Sequence, residues 1–235
     1  MSAAIALREA NSLIASLPIK EGRRFARLCE RIELVPGDTL CEPDRHFERA
    51  YFPIAGVISA VALLKGRPPL ELGLIGRDGM LGATLSLDIL AAPMRGVVQG
   101  AGTALVMAVA ELRVELRNSP RLVVVMHRYQ FRLMMQFLQT AACTHFHEIT
   151  PRLARWLLMT HDLSISNHVH LTHEFLAHTL GVRRSGVTIA AGALQQRGLI
   201  SYARGEIRII DRAGLEAAAC DCYVALNEKY RQVFG

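Results

Sequence analysis

The strongest constraint on the fold is the stretch from residue 171 to residue 210, where the pattern changes from helical to extended. Apolar side chains recur at helical spacing over residues 172–180 and again over about 183–197. A glycine, Gly181 or Gly198, follows each helical pattern. Two short apolar runs come next, separated by a charged Arg-Gly-Glu turn. Helix, short turn, helix and β-hairpin form the outline of a winged helix-turn-helix.

The second predicted helix has two different faces. Four apolar residues recur at the i, i+3, i+4, i+7 spacing of a buried stripe: Val187, Ala190, Ala191 and Leu194. The opposite face is thin enough to enter a DNA major groove, which is about 12 Å wide. We predict that Arg184 reads a guanine through two hydrogen bonds. Ser185 and Thr188 are weaker candidate readers, and Ile189 could touch a thymine methyl group. The alternative is an ordinary helical hairpin with solvated arginines, and the basic β-hairpin that follows disfavours it.

The segment LTHEFLAHTLGVRRSGVTIAAGALQQRGLISYARGEIRI resembles the DNA-binding half of the Crp/Fnr superfamily of bacterial transcription regulators. The resemblance implies that Thr172 precedes the first helix and bonds a phosphate, and that Arg184 reads a guanine. Many members have a Glu directly after this Arg and a second Arg four residues further on. Ser185 and Ile189 occupy those positions here, so the common half-site does not follow from the resemblance.

Other basic residues of this stretch are candidates for contacts with the phosphate backbone. We expect Arg183 and Arg204 to hold phosphates. His173, at the start of the first helix, is either a phosphate contact or a simple solvated histidine. Residues 151–210 carry seven arginines and no lysine against three acidic residues, so positive charge is enriched where DNA would bind. The whole chain has a formal net charge of +6, which is compatible with a polyanionic partner.

The N-terminal half has a different sequence pattern. Residues 1–20 and 21–34 have helical patterns, and from there to about residue 110 short apolar runs alternate with Gly, Pro and charged turns. Short strands at such spacing favour a β-sandwich or barrel. The resemblance implies an α+β chain with an N-terminal β-roll of the cyclic-nucleotide-binding-like jelly-roll type. The expected domains are a β-roll effector domain over 1–118, a long dimerisation helix over 119–150 and a winged helix-turn-helix DNA-binding domain over 151–235.

The β-roll lacks the residues that hold a cyclic nucleotide in this superfamily. Its nucleotide binders place a Glu in a Gly-Glu-Leu-Gly motif for the ribose and an Arg beside Ser or Thr for the phosphate, because a buried phosphate needs such partners. Here Met80 stands at the Glu position, Met94 stands at the Arg position, and Arg95 has no hydroxyl neighbour. We expect no cyclic AMP site, and at most a more apolar effector pocket. Arg77 and Asp78 are interpreted as a solvated turn rather than as a polar latch.

A long helix is predicted between the two halves. Ser119-Pro120 is typical of a helix start, and the pattern continues to Thr150-Pro151. Its polar residues fall along one narrow stripe: Arg121, Arg128, Arg132, Gln136 and Gln139. The remaining apolar arc is wide enough to need two partners, its own β-roll and the same helix of a second subunit. The resemblance also implies this dimer, which would place two recognition helices one DNA turn apart on a palindromic site.

No catalytic or metal chemistry is predicted. The chain has five cysteines: Cys29, Cys41, Cys143, Cys220 and Cys222. They form no CxxC pair, no histidine spacing completes a zinc site with them, and only the first two lie early enough for the N-terminal iron–sulfur cluster of some superfamily members. We therefore expect no metal and no cofactor, with a redox-active 220–222 segment as an alternative. The histidine-rich segments 145–147 and 168–174 are interpreted as solvated side chains, with a zinc or iron site as the alternative. No catalytic arrangement is present that would support an enzyme.

The sequence as a whole predicts a homodimeric transcription regulator of Crp/Fnr type. Its expected partners are double-stranded DNA, a second copy of the chain and RNA polymerase, with an unknown small molecule as a candidate effector. There is no signal-peptide pattern and no apolar run of about 18 residues, so we expect a cytoplasmic protein without membrane contact. The alternative is an effector- or redox-sensing protein whose helix-turn-helix serves protein contacts. A final helix is predicted over about 211–234, without a derived role.

Overall fold

The computed structural model of the chain describes residues 11–163, 168–170, 172–203 and 205–234. Its contacts divide the chain into two compact units. The first unit contains the residues up to Ala60 together with Leu74–Met134. The second unit contains Val61–Gly73 together with Met135–Gly235. Among the described residues, no helix combines the length and the apolar character needed to cross a bilayer.

The N-terminal part of the chain is an antiparallel sheet flanked by helices. Its sheet has the strand order β1-β5-β3-β4, and β2 also pairs with β5. Its elements are α1 (Ser12–Ala15), α2 (Ile19–Leu28), β1 (Glu30–Leu34), β2 (Thr39–Cys41), β3 (Arg49–Ala62), β4 (Leu70–Ile75), a 3-10 helix (Ala83–Leu87), β5 (Arg95–Ala108) and α3 (Val109–Asn118). The α+β class and the β-roll expected from the sequence are confirmed by this arrangement.

Two boundaries differ from the sequence prediction. The helix predicted over 21–34 ends at Leu28, because Glu30–Leu34 pairs as β1 with β5, in the register Glu30 to Val106. The two runs predicted as separate strands near residues 94–109 form the single strand β5. Glycine at position 102 allows β5 to pass close to β3. A Cβ there would lie 2.1 Å from the carbonyl oxygen of Ala55 on β3, which is too close for any other residue. Helix α3 after it is not predicted by the sequence analysis.

The long helix is α4, Pro120–Phe146, and the side chain of Ser119 accepts a hydrogen bond from Leu122 N at 3.0 Å. The predicted polar stripe faces solvent only in its first half, where Arg121 and Arg128 are exposed. Gln136 is only 6% exposed, and Arg132 is paired with Asp78. The interpretation of Asp78 as part of a solvated turn is therefore wrong. The exposed side of α4 also carries large apolar side chains, among them Phe131, Met134 and Leu138.

The second unit contains the predicted winged helix-turn-helix. After α4 its elements are α5 (Ile149–Leu163), β6 (His168–His170), α6 (His173–Leu180), α7 (Arg184–Gln196), β7 (Ile200–Ala203), β8 (Glu206–Ile209), α8 (Arg212–Ala218) and α9 (Cys222–Phe234). The three strands form a sheet of order β6-β8-β7. Helices α5, α6 and α7 share one core, in which Leu153, Leu176 and Leu194 are completely buried.

The predicted single helix over 211–234 is two helices. Helix α8 ends at Ala218, and Ala219 takes an extended conformation with φ −73° and ψ 157°. Cys220 N then donates to the carbonyl oxygen of Pro151 at 3.4 Å instead of continuing the helix. The break places Cys220 and Cys222 at the junction of α8 and α9, and both side chains are buried.

Candidate nucleic-acid interface

The two helices of the helix-turn-helix begin and end as their sequence requires. The hydroxyl of Thr172 accepts a hydrogen bond from Phe175 N at 3.1 Å and so caps α6. Helix α6 ends at Gly181, whose φ of 64° is a left-handed conformation that favours glycine. Arg183 immediately precedes α7. Its side chain makes no capping hydrogen bond to this helix.

Helix α7 separates a buried and an exposed face as the sequence predicts. Val187, Ala190, Ala191 and Leu194 are each at most 2% exposed and pack in the core. The exposed side carries the candidate readers: Arg184, Ser185, Thr188 and Ile189. Ile189 is 73% exposed, and a Cβ added to Gly192 would meet no atom within 4 Å. This face is therefore both accessible and thin.

His173 joins three elements of this surface. Its Nδ1 lies 2.9 Å from the hydroxyl of Thr188 on α7, and its ring stacks on Tyr202 of β7 with centroids 4.6 Å apart. The Thr188 hydroxyl donates to the carbonyl oxygen of Arg184, so His173 Nδ1 must act as the donor to Thr188. Gln195 further joins α7 to the hairpin, because its side-chain oxygen accepts from Tyr202 N at 2.8 Å. His173 is thus a half-buried connector rather than a simple solvated side chain.

We predict that His173 stays neutral at pH 7. Burial, and secondarily the positive charge of Arg184, lower the pKa of His173 below its usual 6.5. Its buried Nε2 has no hydrogen-bond partner among the described residues, so a proton there would be a buried donor without an acceptor. The folded state therefore binds the proton more weakly than the unfolded state, and this contribution to stability is lost as pH falls below about 6.5.

The measurement is an NMR titration of the His173 ring in wild type and in Arg184→Ala. The wild-type pKa should lie below that of an unperturbed imidazole, and the variant should raise it, because a neighbouring positive charge is removed. A wild-type pKa at or above 6.5 would contradict the placement of this ring.

The positive charge of the unit is not all on the surface. Of the seven arginines counted in the sequence, Arg152 and Arg155 are 8% and 6% exposed. Arg152 donates to the carbonyl oxygen of Leu180 at the end of α6, so it supports the helix-turn-helix from inside. Arg183 and Arg184 are exposed. The predicted phosphate contact Arg204 lies outside the described residues.

The predicted effector residues of the β-roll lie in different environments. Met80 is fully buried and Met94 is 7% exposed, so both belong to the interior. Arg95 Nε donates to Glu42 Oε2 at 2.9 Å, so its charge already has a partner. The first unit has a cavity of about 280 Å³, but none of these three residues lines it. Its lining residues are Leu85, Ser86, Asp88, Arg113, Leu116 and Arg117.

One group of potential metal ligands was missed in the sequence. Cys143, His147, Cys220 and Cys222 have ligand atoms that all lie within 4.8 Å of one another. The spacing of Cys143 and His147 could have indicated it, because residues four apart share a helix face. The other half could not be anticipated, since the predicted continuous C-terminal helix hides the turn that brings Cys220 and Cys222 together.

Comparisons with known proteins agree with this architecture. Residues 151–218 match the profile of the Crp-like helix-turn-helix domain. No curated protein matches the chain by sequence. The structure of FixK2 from Bradyrhizobium japonicum has a TM-score of 0.69 at 12% identity, covering 82% of this chain and 98% of that chain. A CRP-family transcriptional regulator from Thermus thermophilus has a TM-score of 0.67 at 20% identity, covering 80% and 96%.

A third solved structure with this fold is the c-di-GMP responsive global regulator CLP of Xanthomonas campestris. It has a TM-score of 0.64 at 17% identity and covers 82% of this chain and 99% of that chain. Sequence identities this low show a shared fold and not a shared ligand or target. The described structure covers almost the full length of each of these three chains.

Proposed function

Residues 151–218 form a Crp-like helix-turn-helix domain in a chain with the Crp/Fnr fold, and from this premise we propose that the protein binds a palindromic DNA operator as a homodimer and regulates transcription. The observation that carries this proposal is the exposed face of α7. It is small, faces solvent, and is fixed to the core by its opposite side. A helix with these properties fits the major groove, where base edges can be distinguished.

Each residue of this surface has a proposed role. Arg184, in the first turn of α7, reads a guanine because its guanidinium can bond O6 and N7 together. The Thr172 hydroxyl already accepts the Phe175 N–H, so its own proton remains to be donated to a phosphate. Arg183 and Arg204 contribute further phosphate contacts. Ser185 and Ile189 contribute weaker base contacts.

His173 and Thr188 act mainly by positioning in this proposal. Their mutual hydrogen bond and the stacking on Tyr202 support α7 relative to the hairpin. The Thr188 hydroxyl proton is engaged with the carbonyl oxygen of Arg184, which leaves Thr188 only acceptor capacity toward a base. We therefore assign these two residues less direct readout than Arg184.

Dimerisation is supported by the apolar face of α4. Val124, Phe131 and Leu138 are spaced seven residues apart and are 51%, 43% and 58% exposed in the single chain. Met134 adds a fourth large apolar side chain at the intermediate position. A seven-residue apolar repeat on an exposed helix face is the pattern of a coiled-coil seam. Two copies joined there would present two recognition helices to the two half-sites of a palindrome.

The signal that controls this regulator is not a cyclic nucleotide in our proposal. Met80 is buried at the position of the ribose-binding Glu, and Arg95 is already neutralised by Glu42. The protein would act on DNA in the cytoplasm, with RNA polymerase as its downstream contact and an unknown small molecule as candidate effector.

The test is fluorescence-anisotropy titration of the protein with DNA from upstream of its own coding sequence, at several salt concentrations. Arg184→Ala should weaken binding to the operator by about 1–3 kcal/mol and relax the preference for the base that Arg184 reads. The matched control is Arg197→Ala, at the exposed C-terminal end of α7, which removes the same charge away from the groove. Arg197→Ala should weaken binding to the operator and to non-specific DNA by similar amounts. This loss should be smaller than the loss of operator binding in Arg184→Ala.

Salt dependence separates the two candidate functions. Phosphate contacts release counterions, so DNA binding should weaken steeply as salt increases. A flat salt dependence, with equal affinity of wild type and Arg184→Ala, would favour the alternative in which the helix-turn-helix contacts a protein. If wild type binds weakly, repeating the titration with cell extract tests whether an effector is required.

A further inference from the structure

Four side chains that the proposed DNA reading does not use converge at one end of the second unit. Cys143 lies in the last turn of α4, and His147 lies four residues later, immediately after that helix ends. Cys220 and Cys222 come from the junction of α8 and α9, more than seventy positions away in the sequence. The backbone of His147 still donates to the carbonyl oxygen of Cys143 at 3.1 Å, so both residues share one face of the chain. Three thiols and an imidazole therefore meet at a single point.

The separations between these groups fit a single metal ion. Cys143 Sγ and Cys220 Sγ lie 3.5 Å apart, and Cys222 Sγ lies 3.4 Å from His147 Nδ1. Ligands at the corners of a tetrahedron, with Zn–S of about 2.3 Å and Zn–N of about 2.0 Å, are about 3.5–3.8 Å apart. The four ligand atoms are all within 4.8 Å of one another, so small adjustments would complete the tetrahedron. An iron–sulfur cluster would have to push them apart, because its own atoms would stand between them.

The surroundings of the cluster resemble the supporting shell of a metal site. His147 Nε2, the nitrogen that points away from the thiols, lies 3.3 Å from Asp221 Oδ1. Metal-binding histidines commonly donate their second ring N–H to a carboxylate, which fixes the ring orientation. Gln139 Nε2 donates to Cys222 Sγ at 2.9 Å, a contact that stabilises negative charge on the sulfur. Both ring nitrogens of His147 and the sulfur of Cys222 therefore have partners of the kind found around metal sites.

The charge of the site is also compensated. Cys143, Cys220 and Cys222 are 1%, 7% and 2% exposed, so three thiolates alone would be strongly disfavoured there. The positive charge of Arg155 acts on Cys143 and Cys220, and its buried Nε has no hydrogen-bond partner within the described part of the chain. The cation beside these sulfurs therefore offsets part of the negative charge of a thiolate site.

We propose that Cys143, His147, Cys220 and Cys222 bind one zinc ion in a tetrahedral site of three thiolates and one imidazole. Binding replaces the protons that remain on the thiols, which are released to solvent. Zinc is the ion that best matches three sulfurs and a nitrogen in this geometry, and four protein ligands leave no open position. The site is therefore structural and not catalytic.

The position of the ion assigns it a mechanical role. Cys143 and His147 lie at and just after the end of α4, and Cys220 and Cys222 lie just before and at the start of α9. The ion would therefore join the C-terminal helix to the end of the long helix within the second unit. His147 also lies between the end of α4 and the start of α5 at Ile149. A bound ion would fix the backbone at this junction, and removal of the ion would release α9. Metal availability or thiol oxidation would then alter the stability of the DNA-binding unit.

The test is the metal content and cobalt spectrum of the full chain purified under reducing conditions without a chelator. Elemental analysis should find one zinc per chain, and replacement by Co²⁺ should give sulfur-to-metal charge-transfer bands and the intense visible bands of a tetrahedral ion. Cys220→Ser should lose both signals. Cys41→Ser, a matched thiol in the first unit, should keep them.

A second variant keeps the test independent of folding. The Asp221 side chain is exposed and contacts the proposed site through its ion pair with His147, so Asp221→Ala should still fold. It should weaken Co²⁺ affinity by about 10–100-fold. The proposal is overturned if folded, reduced wild-type protein gives no charge-transfer band with added Co²⁺. These readouts do not involve DNA, so they stand or fall separately from the proposed regulatory function.

Discussion

Replacement of Leu138 by Glu is expected to convert the protein from a dimer into a monomer. Leu138 is 58% exposed in the single chain, so the substitution costs the monomer little. In the proposed dimer the same side chain lies in the apolar seam with Val124 and Phe131, fourteen and seven residues earlier. A carboxylate there would be desolvated beside its own copy in the partner.

Two measurements test this substitution: the molecular mass in solution and the affinity for DNA. Sedimentation equilibrium should give twice the chain mass of 25.9 kDa for wild type and a single chain mass for Leu138→Glu. Affinity for a palindromic operator should fall by about 10²–10⁴-fold, because the second half-site is no longer held at high effective concentration. Affinity for an isolated half-site should change little.

The matched control for this substitution is Val114→Glu. Val114 is 43% exposed on α3, outside the apolar repeat of α4, so the variant introduces the same charge at a similarly exposed apolar position. It should remain dimeric and bind the operator as wild type does. A dimeric Leu138→Glu, or an equally monomeric Val114→Glu, would mean that the apolar face of α4 is not the interface.

The helix-turn-helix could be predicted from the sequence because its signals are local. Thr172 caps α6, Gly181 ends it with a positive φ, and the apolar spacing of α7 assigns its buried face. Local propensity, hydrophobic period and turn chemistry all agree in this segment, and such agreement makes a prediction reliable. The exposed position of Arg184 follows from the same spacing.

The sequence predictions that were wrong concern features that depend on partners far away in the sequence. Glu30–Leu34 continues a helical pattern but becomes β1 because β5 is available to pair with it. Arg132 is suited to solvent by its residue type, yet it is half-buried and pairs with Asp78. The extended conformation of Ala219 ends α8 where no proline or glycine marks an end. Propensity is overridden in each case by a tertiary contact that sequence spacing does not encode.

The candidate site shows the same division between local and distant information. The exposed face of α7 is readable from its period, but the stacking of His173 on Tyr202 joins residues nearly thirty positions apart in the sequence. The proposed zinc ligands are more distant still, since Cys143 meets Cys220 only through the break between α8 and α9. Half of that ligand set lies at a recognisable helical spacing, and half does not.

Leu194→Ala is expected to destabilise the second unit by about 2–5 kcal/mol. Leu194 is completely buried on the inner face of α7, among the leucines of α5 and α6. Truncation to Ala removes apolar contacts and leaves a cavity that the surrounding helices can fill only in part. Because natural domains are stable by only about 5–15 kcal/mol, this loss is a large share of the total. DNA binding should fall with it, since α7 would no longer be fixed in position.

The control lies on the outer side of the same helix, five residues earlier. Ile189 is 73% exposed, so Ile189→Ala should change stability by no more than about 0.5 kcal/mol while weakening any contact with a thymine methyl. Urea unfolding followed by tryptophan fluorescence measures both variants, because the single tryptophan, Trp156, lies in the same core as Leu194. Comparable losses of stability in the two variants would contradict the assignment of inner and outer faces on α7. A stable Ile189→Ala with altered sequence preference would instead tie its outer face directly to base recognition.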